Sequence, residues 1–238
     1  MNSKTIIVMP AYNAEKTLEK TYRDIPGGIV DEIILCDDFS KDKTLEVARG
    51  LGLTVIAHDK NKGYGGNQKT CYREALKKGA DIVIMLHPDY QYDAKKIPEL
   101  IQPLLEKGAD VVLGSRILGG TALKGGMPLS KYISNRLATI YENKVLGLNL
   151  SEYHTGLRAF TRKFLETVNW QAYSDDFLFD AQILIDARRH GFKIAEIPIE
   201  TRYFKESSQI SIFRGVVYGI GIFSELRKYK RERIKGSK

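Results

Sequence analysis

Runs of apolar residues alternate with amphipathic stretches along the first half of the chain. The apolar runs occupy residues 6–9, 33–36, 53–57, 82–86 and 111–113. Stretches with helical spacing lie between them, at residues 14–25, 43–51, 65–78 and 97–106. Uninterrupted apolar runs are typical of strands buried on both faces, and intervening helices indicate right-handed βαβ crossovers. The pattern therefore predicts a doubly wound α/β layer, with a mostly parallel sheet and helices on both faces.

The second half of the chain has a less regular pattern. Residues 129–146 and 177–189 have helical spacing, and residues 192–199 alternate in part, so we expect two helices followed by a strand. No Ser/Gly-rich linker separates the two halves. We therefore expect one domain over residues 1–208, whose irregular later part completes a site that the first part opens.

Residues 209–226 are a further helical candidate, followed by a basic tail to residue 238. The apolar positions of this helix share one stripe: Ile212, Phe213, Val216, Val217, Ile220 and Phe223. A bilayer-spanning helix needs about 20 apolar residues, and Arg214 and Glu225 bracket too short a run. The stripe therefore either packs on the domain or lies at a membrane surface, and the sequence leaves both open.

Composition places the chain among ordinary globular proteins. It has 238 residues, of which 43% are hydrophobic and 28% charged, which excludes a disordered chain and a disulfide scaffold. The two cysteines, Cys36 and Cys71, are interpreted as free thiols in a reducing compartment. No cleavable signal peptide is recognisable, so we expect a cytoplasmic location, at the inner face of the membrane if the stripe binds there.

The formal net charge of +8 is unevenly distributed. Residues 227–238 hold seven Lys or Arg and one Glu. Such a tail can meet an anionic membrane surface or be solvated. Nucleic acid is not an expected partner, because no nucleic-acid motif accompanies the basic residues.

Polar and charged residues follow every predicted strand of the first half. Ligands of open α/β sheets bind beyond the carboxyl ends of the strands, so these residues are the first candidates for a site. They occupy positions 10–13, 37–42, 58–63, 87–91 and 114–116. Asp37 or Asp38 could instead cap the following helix, and the glycines after Lys62 could form only a flexible turn. The sequence lacks a dinucleotide fingerprint, a phosphate loop, zinc-ligand spacing and a G-x-S-x-G elbow.

Taken together, these motifs resemble the family 2 glycosyltransferases, which have the GT-A fold. The motifs are Pro10-Ala11-Tyr12-Asn13 with Glu15, Asp37-Asp38-x-Ser40-x-Asp42-x-Thr44, Asn61-x-Gly63 and Asp89-x-Gln91. Gly114-Ser115-Arg116 and Thr155-Gly156-Leu157-Arg158 resemble the polyprenyl-phosphate branch, which is similar to dolichyl-phosphate mannose synthase. The resemblance covers residues 4–205. It implies an inverting hexosyltransferase that moves a sugar from a nucleotide-sugar donor to a polyprenyl-phosphate acceptor.

The resemblance also implies a donor site. Pro10, Tyr12, Glu15 and Asp38 would surround the base and ribose, with Asp38 favoured as the base contact and Asp37 as a structural residue. The remaining donor-site residues would be Asn61, Gly63 and Gln91. A carboxylate can accept the N–H of uracil or guanine, so both UDP-glucose and GDP-mannose are candidate donors, with UDP-glucose favoured.

A divalent metal, Mg²⁺ or Mn²⁺, is implied by the match of Asp89 to the last acid of the family's D-x-D motif. His87 replaces the first acid. Mg²⁺ prefers oxygen ligands, whereas Mn²⁺ tolerates imidazole better. His87 is therefore either a metal ligand or a group that only forms hydrogen bonds.

The acceptor side rests on the same resemblance. Arg116 would hold the lipid phosphate, because a guanidinium matches phosphate oxygens. Lys131 and Arg136 would support it or form a solvated helix face, and Arg158 would bind phosphate or bridge to a carboxylate. Glu152 would orient the acceptor or the metal, and Asp176 or Asp180 would be the base for a hydroxyl acceptor. A soluble or saccharide acceptor, and an inactive membrane-recruited module, are the alternatives.

Overall fold

The computed structural model describes residues 3–203 and 212–236. Seven strands form one sheet in the order β3-β2-β1-β4-β6-β5-β7. The strands are β1 (Thr5–Ala11), β2 (Glu32–Asp37), β3 (Thr54–Ala57), β4 (Ile82–Leu86), β5 (Val111–Ser115), β6 (Leu157–Thr161) and β7 (Ile194–Pro198). The helices are α1 (Leu18–Arg23), α2 (Thr44–Gly50), α3 (Gly63–Lys77), α4 (Ile97–Glu106), α5 (Leu129–Leu146), α6 (Arg162–Thr167), α7 (Phe179–Arg189) and α8 (Ile212–Gly236).

Strands β3, β2, β1 and β4 run parallel, as the apolar runs of the first half predicted. Their central residues are buried because helices cover both faces of the sheet. One core layer contains residues of α1, α2 and α4, and the other contains residues of α3, α6, α7 and α8. The predicted α/β fold with a mostly parallel sheet and helices on both faces is therefore confirmed.

Helix α1 is shorter than predicted, since it begins at Leu18 rather than at residue 14. The preceding residues are held in a loop instead. The Ala14 N–H donates to Thr44 Oγ1 at 2.7 Å, and the Glu15 N–H donates to Asp42 Oδ2 at 3.1 Å. These bonds to the loop after β2 use donors that a longer helix would have placed in its first turn.

Strand β6 was not predicted. It lies antiparallel between β4 and β5, and β7 then pairs parallel with β5 at the edge of the sheet. Arg158 interrupts its short apolar pattern, which explains why the pattern did not indicate a strand. The strand brings the loop before it, residues 147–156, to the ends of β4 and β5.

Helix α8 continues to Gly236 instead of ending at residue 226, so most of the predicted basic tail is helical. Ile222, Leu226 and Tyr229 are buried in the core layer that contains α7. The predicted boundary between residues 208 and 209 lies outside the described residues. None of the helices in residues 3–203 and 212–236 is both long enough and apolar enough to cross a membrane.

Candidate active site

The loops that follow β1 and β2 are joined by hydrogen bonds between side chains and backbone. The Lys43 N–H donates to Glu15 Oε2 at 2.9 Å, and the Lys41 N–H donates to Asn13 Oδ1 at 2.9 Å. Pro10 is buried at the end of β1, whereas Tyr12 is exposed beyond it. The first predicted donor motif therefore forms a fixed platform, in which Glu15 holds the two loops together.

Asp37 and Asp38 are both buried at the end of β2 but have different surroundings. Asp38 Oδ1 accepts the Lys62 N–H at 2.7 Å and lies 2.8 Å from His58 Nδ1, and Asp38 Oδ2 accepts the Gly63 N–H at 3.1 Å. Asp37 Oδ2 accepts the Ser40 N–H at 3.0 Å. Asp37 Oδ1 has no hydrogen-bond partner among the described residues.

This division of contacts differs from the sequence-based expectation. Both oxygens of Asp38 hold the loop that leads into α3, and the unpaired oxygen belongs to Asp37. A buried carboxylate oxygen without a donor is costly unless a ligand supplies one. Which of the two acids contacts a base stays a prediction.

The glycine-rich segment after Lys62 begins α3 and is not a free turn. The Asn61 side chain closes it, accepting the Gly63 N–H at 3.0 Å and donating to the Asp38 carbonyl oxygen at 3.1 Å. The Gly65 N–H donates to the Asp175 carbonyl oxygen at 2.8 Å. A Cβ at Gly65 would collide with the Ser174 carbonyl oxygen. Glycine therefore allows the segment before α7 to approach the start of α3.

A buried polar network joins α3 to the ends of β4 and α7. The Tyr64 hydroxyl donates to Asp180 Oδ2 at 2.8 Å and lies 3.0 Å from His87 Nε2. Gln68 Nε2 donates to Asp180 Oδ1 at 3.0 Å. Burial lowers the pKa of His87, although the Asp89 and Asp180 charges oppose this effect. His87 is therefore a neutral imidazole at pH 7, with one nitrogen beside a tyrosine hydroxyl.

Arg158 lies inside this network, with 0% of its surface exposed. Its guanidinium lies 3.1 Å from Asp180 Oδ2 and donates to the Thr155 carbonyl oxygen at 2.8 Å. Of the two predicted roles, this geometry supplies the bridge to a carboxylate, and the contact with an acceptor phosphate stays a prediction. Asp176, by contrast, is exposed and lies 3.7 Å from Arg214 of α8.

Asp89 follows β4 and is buried. The Gln91 N–H donates to Asp89 Oδ1 at 3.0 Å, and Tyr90 between them has a left-handed φ of 57°. Gln91 Nε2 is buried with no hydrogen-bond partner among the described residues. Across those residues, no cluster of three His, Cys, Asp or Glu side chains could by itself hold a metal.

Arg116 and Glu152 form a buried ion pair at the end of β5. The Arg116 Nε–H and backbone N–H each donate to Glu152 at 2.8 Å, and Arg116 Nη1 donates to the Tyr203 hydroxyl at 2.7 Å. Asn135 of α5 donates to Glu152 Oε1 at 2.9 Å. Burial alone would lower the pKa of Arg116, but the Glu152 charge outweighs it and the pKa is raised. Arg116 is therefore permanently charged.

Lys131 lies on the first turn of α5, beside this pair. Burial, and next the Arg116 charge, lower the pKa of Lys131, whereas the Glu152 and Asp89 charges raise it. The Lys131 ammonium lies 5.3 Å from the centre of the Tyr203 ring. Arg136, further along α5, donates to the Ser151 carbonyl oxygen at 2.5 Å. Lys131 and Arg116 therefore have Tyr203 as a common neighbour.

Several residues of the site were missed from the sequence. They are Tyr64, Gln68, Asn135, His154, Glu196 and Tyr203. Glu196 Oε1 accepts the Glu152 N–H at 3.0 Å and so holds the loop that carries Glu152. His154 lies 3.0 Å from Glu142 of α5, and its carbonyl oxygen accepts from Arg116. Only Asn135 left a sequence signal, because it shares helical spacing with Thr139 and Glu142.

The chain is similar to known proteins over most of its length. The family model described as Glycosyl transferase family 2 matches residues 6–168. An uncharacterised protein of Methanocaldococcus jannaschii is 32% identical, over 92% of this chain and 89% of its own. The UDP-N-acetylglucosamine–dolichyl-phosphate N-acetylglucosaminyltransferase of Methanococcus voltae is 29% identical, over 96% of each chain.

A solved structure shares the fold. Glucosyl-3-phosphoglycerate synthase from Mycobacterium tuberculosis, solved in complex with Mn²⁺, UDP and glucosyl-3-phosphoglycerate, matches with a TM-score of 0.74 and 20% identity. The match covers 96% of this chain and 80% of that one. The family match over most of the chain confirms the resemblance drawn from the motifs: the chain belongs to glycosyl transferase family 2 and is a glycosyltransferase.

Proposed function

We propose that this protein transfers a hexose from a UDP-sugar to the phosphate of a polyprenyl phosphate, with inversion at the anomeric carbon. The observation that carries the proposal is that residues 202 and 203 join the loop of Asp89 to the two cations. The Arg202 N–H donates to the Gln91 carbonyl oxygen at 3.0 Å, and the Gln91 N–H donates to Asp89. The next residue, Tyr203, accepts from Arg116 at 2.7 Å and lies below the Lys131 ammonium at 5.3 Å. A donor diphosphate and an acceptor phosphate can therefore be held side by side.

The donor side favours a uridine nucleotide. The relative from Methanococcus voltae is named for a UDP-sugar, and the solved structure from Mycobacterium tuberculosis contains UDP. Asp37 Oδ1, which has no hydrogen-bond partner within residues 3–203 and 212–236, could accept the N–H of uracil. Pro10 and Tyr12 would flank the base, and Asn61 and Gly63 would shape the loop beside it. A guanine nucleotide offers a similar N–H group and is the alternative donor.

The residues around Asp89 fit a divalent metal, Mg²⁺ or Mn²⁺. Such ions are commonly bound by one or two carboxylates together with substrate phosphates, which suits a single buried Asp. When bound, the metal would stabilise the negative charge that develops on the leaving diphosphate. Gln91 Nε2, a buried donor without a partner, would bind a ligand oxygen. His87 would reach the metal only by giving up its contact with Tyr64.

The acceptor needs no strong general base. A phosphate monoester is already ionised, so one of its oxygens attacks the anomeric carbon while the bond from that carbon to the diphosphate breaks. Lys131 and Arg116 would hold the attacking phosphate. Asp180, the predicted base, is then not needed for proton abstraction. Its carboxylate instead contacts Tyr64, Gln68 and Arg158. We place the reaction at the cytoplasmic face of a membrane, where a polyprenyl phosphate is presented.

A transfer assay tests the proposal. The purified protein is incubated with UDP- or GDP-hexoses, a polyprenyl phosphate and Mg²⁺ or Mn²⁺, and the lipid fraction is analysed for a glycosyl phosphate of inverted anomeric configuration. Asp89→Asn should lower the rate at least about 100-fold without changing the melting temperature. Glu106→Gln, which removes one exposed charge, is the control. Full activity of Asp89→Asn, or the absence of a lipid product with every donor, would contradict the proposal.

A soluble phosphorylated acceptor is the second candidate. The structure from Mycobacterium tuberculosis contains glucosyl-3-phosphoglycerate, and the two cations of the acceptor side would also suit a small phosphate. Adding 3-phosphoglycerate to the same assay separates the two. Transfer to it at the expense of the lipid would establish the soluble acceptor.

A further inference from the structure

Helix α5 buries polar side chains and exposes apolar ones. Its inward residues include Asn135, Thr139 and Glu142. Its outward apolar residues are between 48% and 64% exposed, and they are Leu129, Ile133, Leu137 and Ile140. Their spacing of three or four positions places them on one face. Leu146, at the C-terminal end of α5, is buried in the core, but burial within the protein does not explain the four outward apolar residues, which need another partner.

Helix α8 carries a second exposed apolar stripe. Its core-facing residues are Ile222, Leu226 and Tyr229. The predicted stripe is instead between 52% and 65% exposed at its described positions, which are Val216, Val217, Ile220 and Phe223. Packing on the domain, one of the two possibilities that the sequence left open, therefore leaves more than half of each of these four side chains uncovered.

The two stripes lie side by side. Helices α5 and α8 pack together, and the Phe223 ring stacks on Tyr141 of α5 with 5.5 Å between ring centres. Tyr141 follows Ile140 and lies one turn from Leu137, so the stacked rings connect both stripes. We call the eight exposed residues from Leu129 to Ile140 and from Val216 to Phe223 the α5/α8 face.

Positive charge adjoins the α5/α8 face. Positions 216, 220 and 223 continue at helical spacing to Arg227 and Arg231, and most neighbouring exposed residues of α8 are also basic. The one acid in that segment, Glu232, lies 2.9 Å from Arg189 of α7. A second copy of this chain would bring like charges together at such an interface. An anionic surface with an apolar interior would complement both parts.

We propose that the α5/α8 face docks on the surface of an anionic phospholipid bilayer. Docking would be peripheral, with the apolar residues inserted at the level of the lipid headgroups and the basic end of α8 against anionic lipids. The proposal rests on the proposed function, because docking is useful to the protein only if its acceptor is a membrane lipid. Lys131 lies on the opposite side of α5 from Leu129 and Ile133, toward Tyr203, so docking places the acceptor side of the site one helix diameter behind the membrane surface.

Co-sedimentation with vesicles tests the docking directly. The full chain should bind phosphatidylcholine vesicles that contain phosphatidylglycerol, and binding should fall when phosphatidylglycerol is omitted or salt is raised. Leu137→Glu and, separately, Ile220→Glu should each lower binding by about tenfold, because each places a charge within the face. Leu105→Glu is the matched control, since Leu105 is a 56% exposed leucine on α4, outside the face. It should bind like the wild type.

Three outcomes would overturn the proposal. The wild type could ignore anionic vesicles, all three variants could lose binding equally, or the wild type could form a dimer that Leu137→Glu dissociates, which would make the face a contact between copies.

Transfer activity separates this proposal from the proposed function. Leu137→Glu should keep its activity on a water-soluble short-chain polyprenyl phosphate and lose it on a vesicle-embedded one. A wild type that binds vesicles through the face, yet transfers sugar to neither acceptor, would contradict the proposed function and leave the docking supported.

Discussion

Helices α4 and α5 stand on either side of β5 in the chain, and they bury opposite kinds of side chain. Helix α4 turns Ile97 and Leu100 into the core. Helix α5 turns Asn135 and Glu142 inward, where they meet Glu152 and His154. Helix α4 is held by hydrophobic burial against the sheet, whereas α5 combines polar contacts to the site with the burial of Leu146 in the core. The exposed apolar residues of α5, from Leu129 to Ile140, remain for a surface outside the protein.

The donor end and the acceptor end of the site are also held by different kinds of contact. At the donor end, backbone N–H groups of strand-end loops are held by the carboxylates of Glu15, Asp37 and Asp38. At the acceptor end, the buried Arg116–Glu152 pair organises a segment without regular structure. A buried ion pair stabilises only while both partners are present. The acceptor end should therefore be the more sensitive one to single substitutions.

The largest effect on stability is expected at Glu152. Glu152→Ala leaves the Arg116 guanidinium buried without its counter-ion, which should lower the free energy of unfolding by about 3–5 kcal/mol. Urea denaturation measures the loss. Glu166→Ala, which removes the exposed partner of Arg162, should cost less than about 1 kcal/mol. Similar losses for both variants would show that the pair does not organise the acceptor end.

The comparison of α4 with α5 is tested by one substitution made in each. Leu100→Ala should lower the free energy of unfolding by about 2–5 kcal/mol, because the fully buried side chain leaves a cavity. Leu137→Ala should change it by less than about 0.5 kcal/mol, because the side chain is 64% exposed. Equal losses in urea denaturation would mean that α5 faces inward with its apolar side.

Lys131→Ala should weaken the acceptor side selectively. The loss of a charged contact to phosphate is worth about 1.5–3 kcal/mol, so the KM for the lipid phosphate should rise about tenfold to 100-fold. The KM for the nucleotide sugar should not change. Steady-state kinetics with each substrate varied in turn measure both, and Lys144→Ala, at an exposed position on the same helix, is the control. A rise confined to the donor KM would move Lys131 to the diphosphate.

The smallest effect concerns His154 and pH. Burial would lower the pKa of His154, but the Glu142 charge outweighs it, so the folded pKa is raised. The stability from this pair is therefore fully present below the unfolded pKa of about 6.5 and is lost as pH rises through the folded value. Melting temperatures across that range should fall more steeply for the wild type than for His154→Gln. Parallel curves would refute the coupling, and His190→Gln serves as control.

The strands of the first half and the strand-end motifs could be predicted from sequence, because both depend on short local patterns. Residues 82–86 are uniformly apolar and form a buried strand, so Asp89 follows at the end of that strand. Strand β6 could not be predicted, because its second residue, Arg158, is acceptable in a buried strand only beside Asp180. The contact between Tyr64 and Asp180 joins residues 116 positions apart, and no local pattern encodes it.

The orientation of α5 could be predicted from the sequence only in part. Its sequence shows an amphipathic helix, and periodicity gives the two faces but not which of them turns inward. The usual rule would have placed all three leucines inside, but Leu129 and Leu137 are exposed and Leu146 is buried. Glu152 and His154 account for the exposed ones, because a buried carboxylate and imidazole require the polar face of α5 as their partner.

A fluorescent probe at Leu137 tests the central claim most directly, namely that the apolar side of α5 meets a lipid surface beside the acceptor site. Cys36 and Cys71 are both buried, so an environment-sensitive label reacts selectively with Leu137→Cys or with the control Leu105→Cys. On addition of anionic vesicles, emission from position 137 should shift to shorter wavelength and gain intensity, while emission from position 105 should stay unchanged. An unchanged spectrum at position 137, or equal shifts at both positions, would contradict the account.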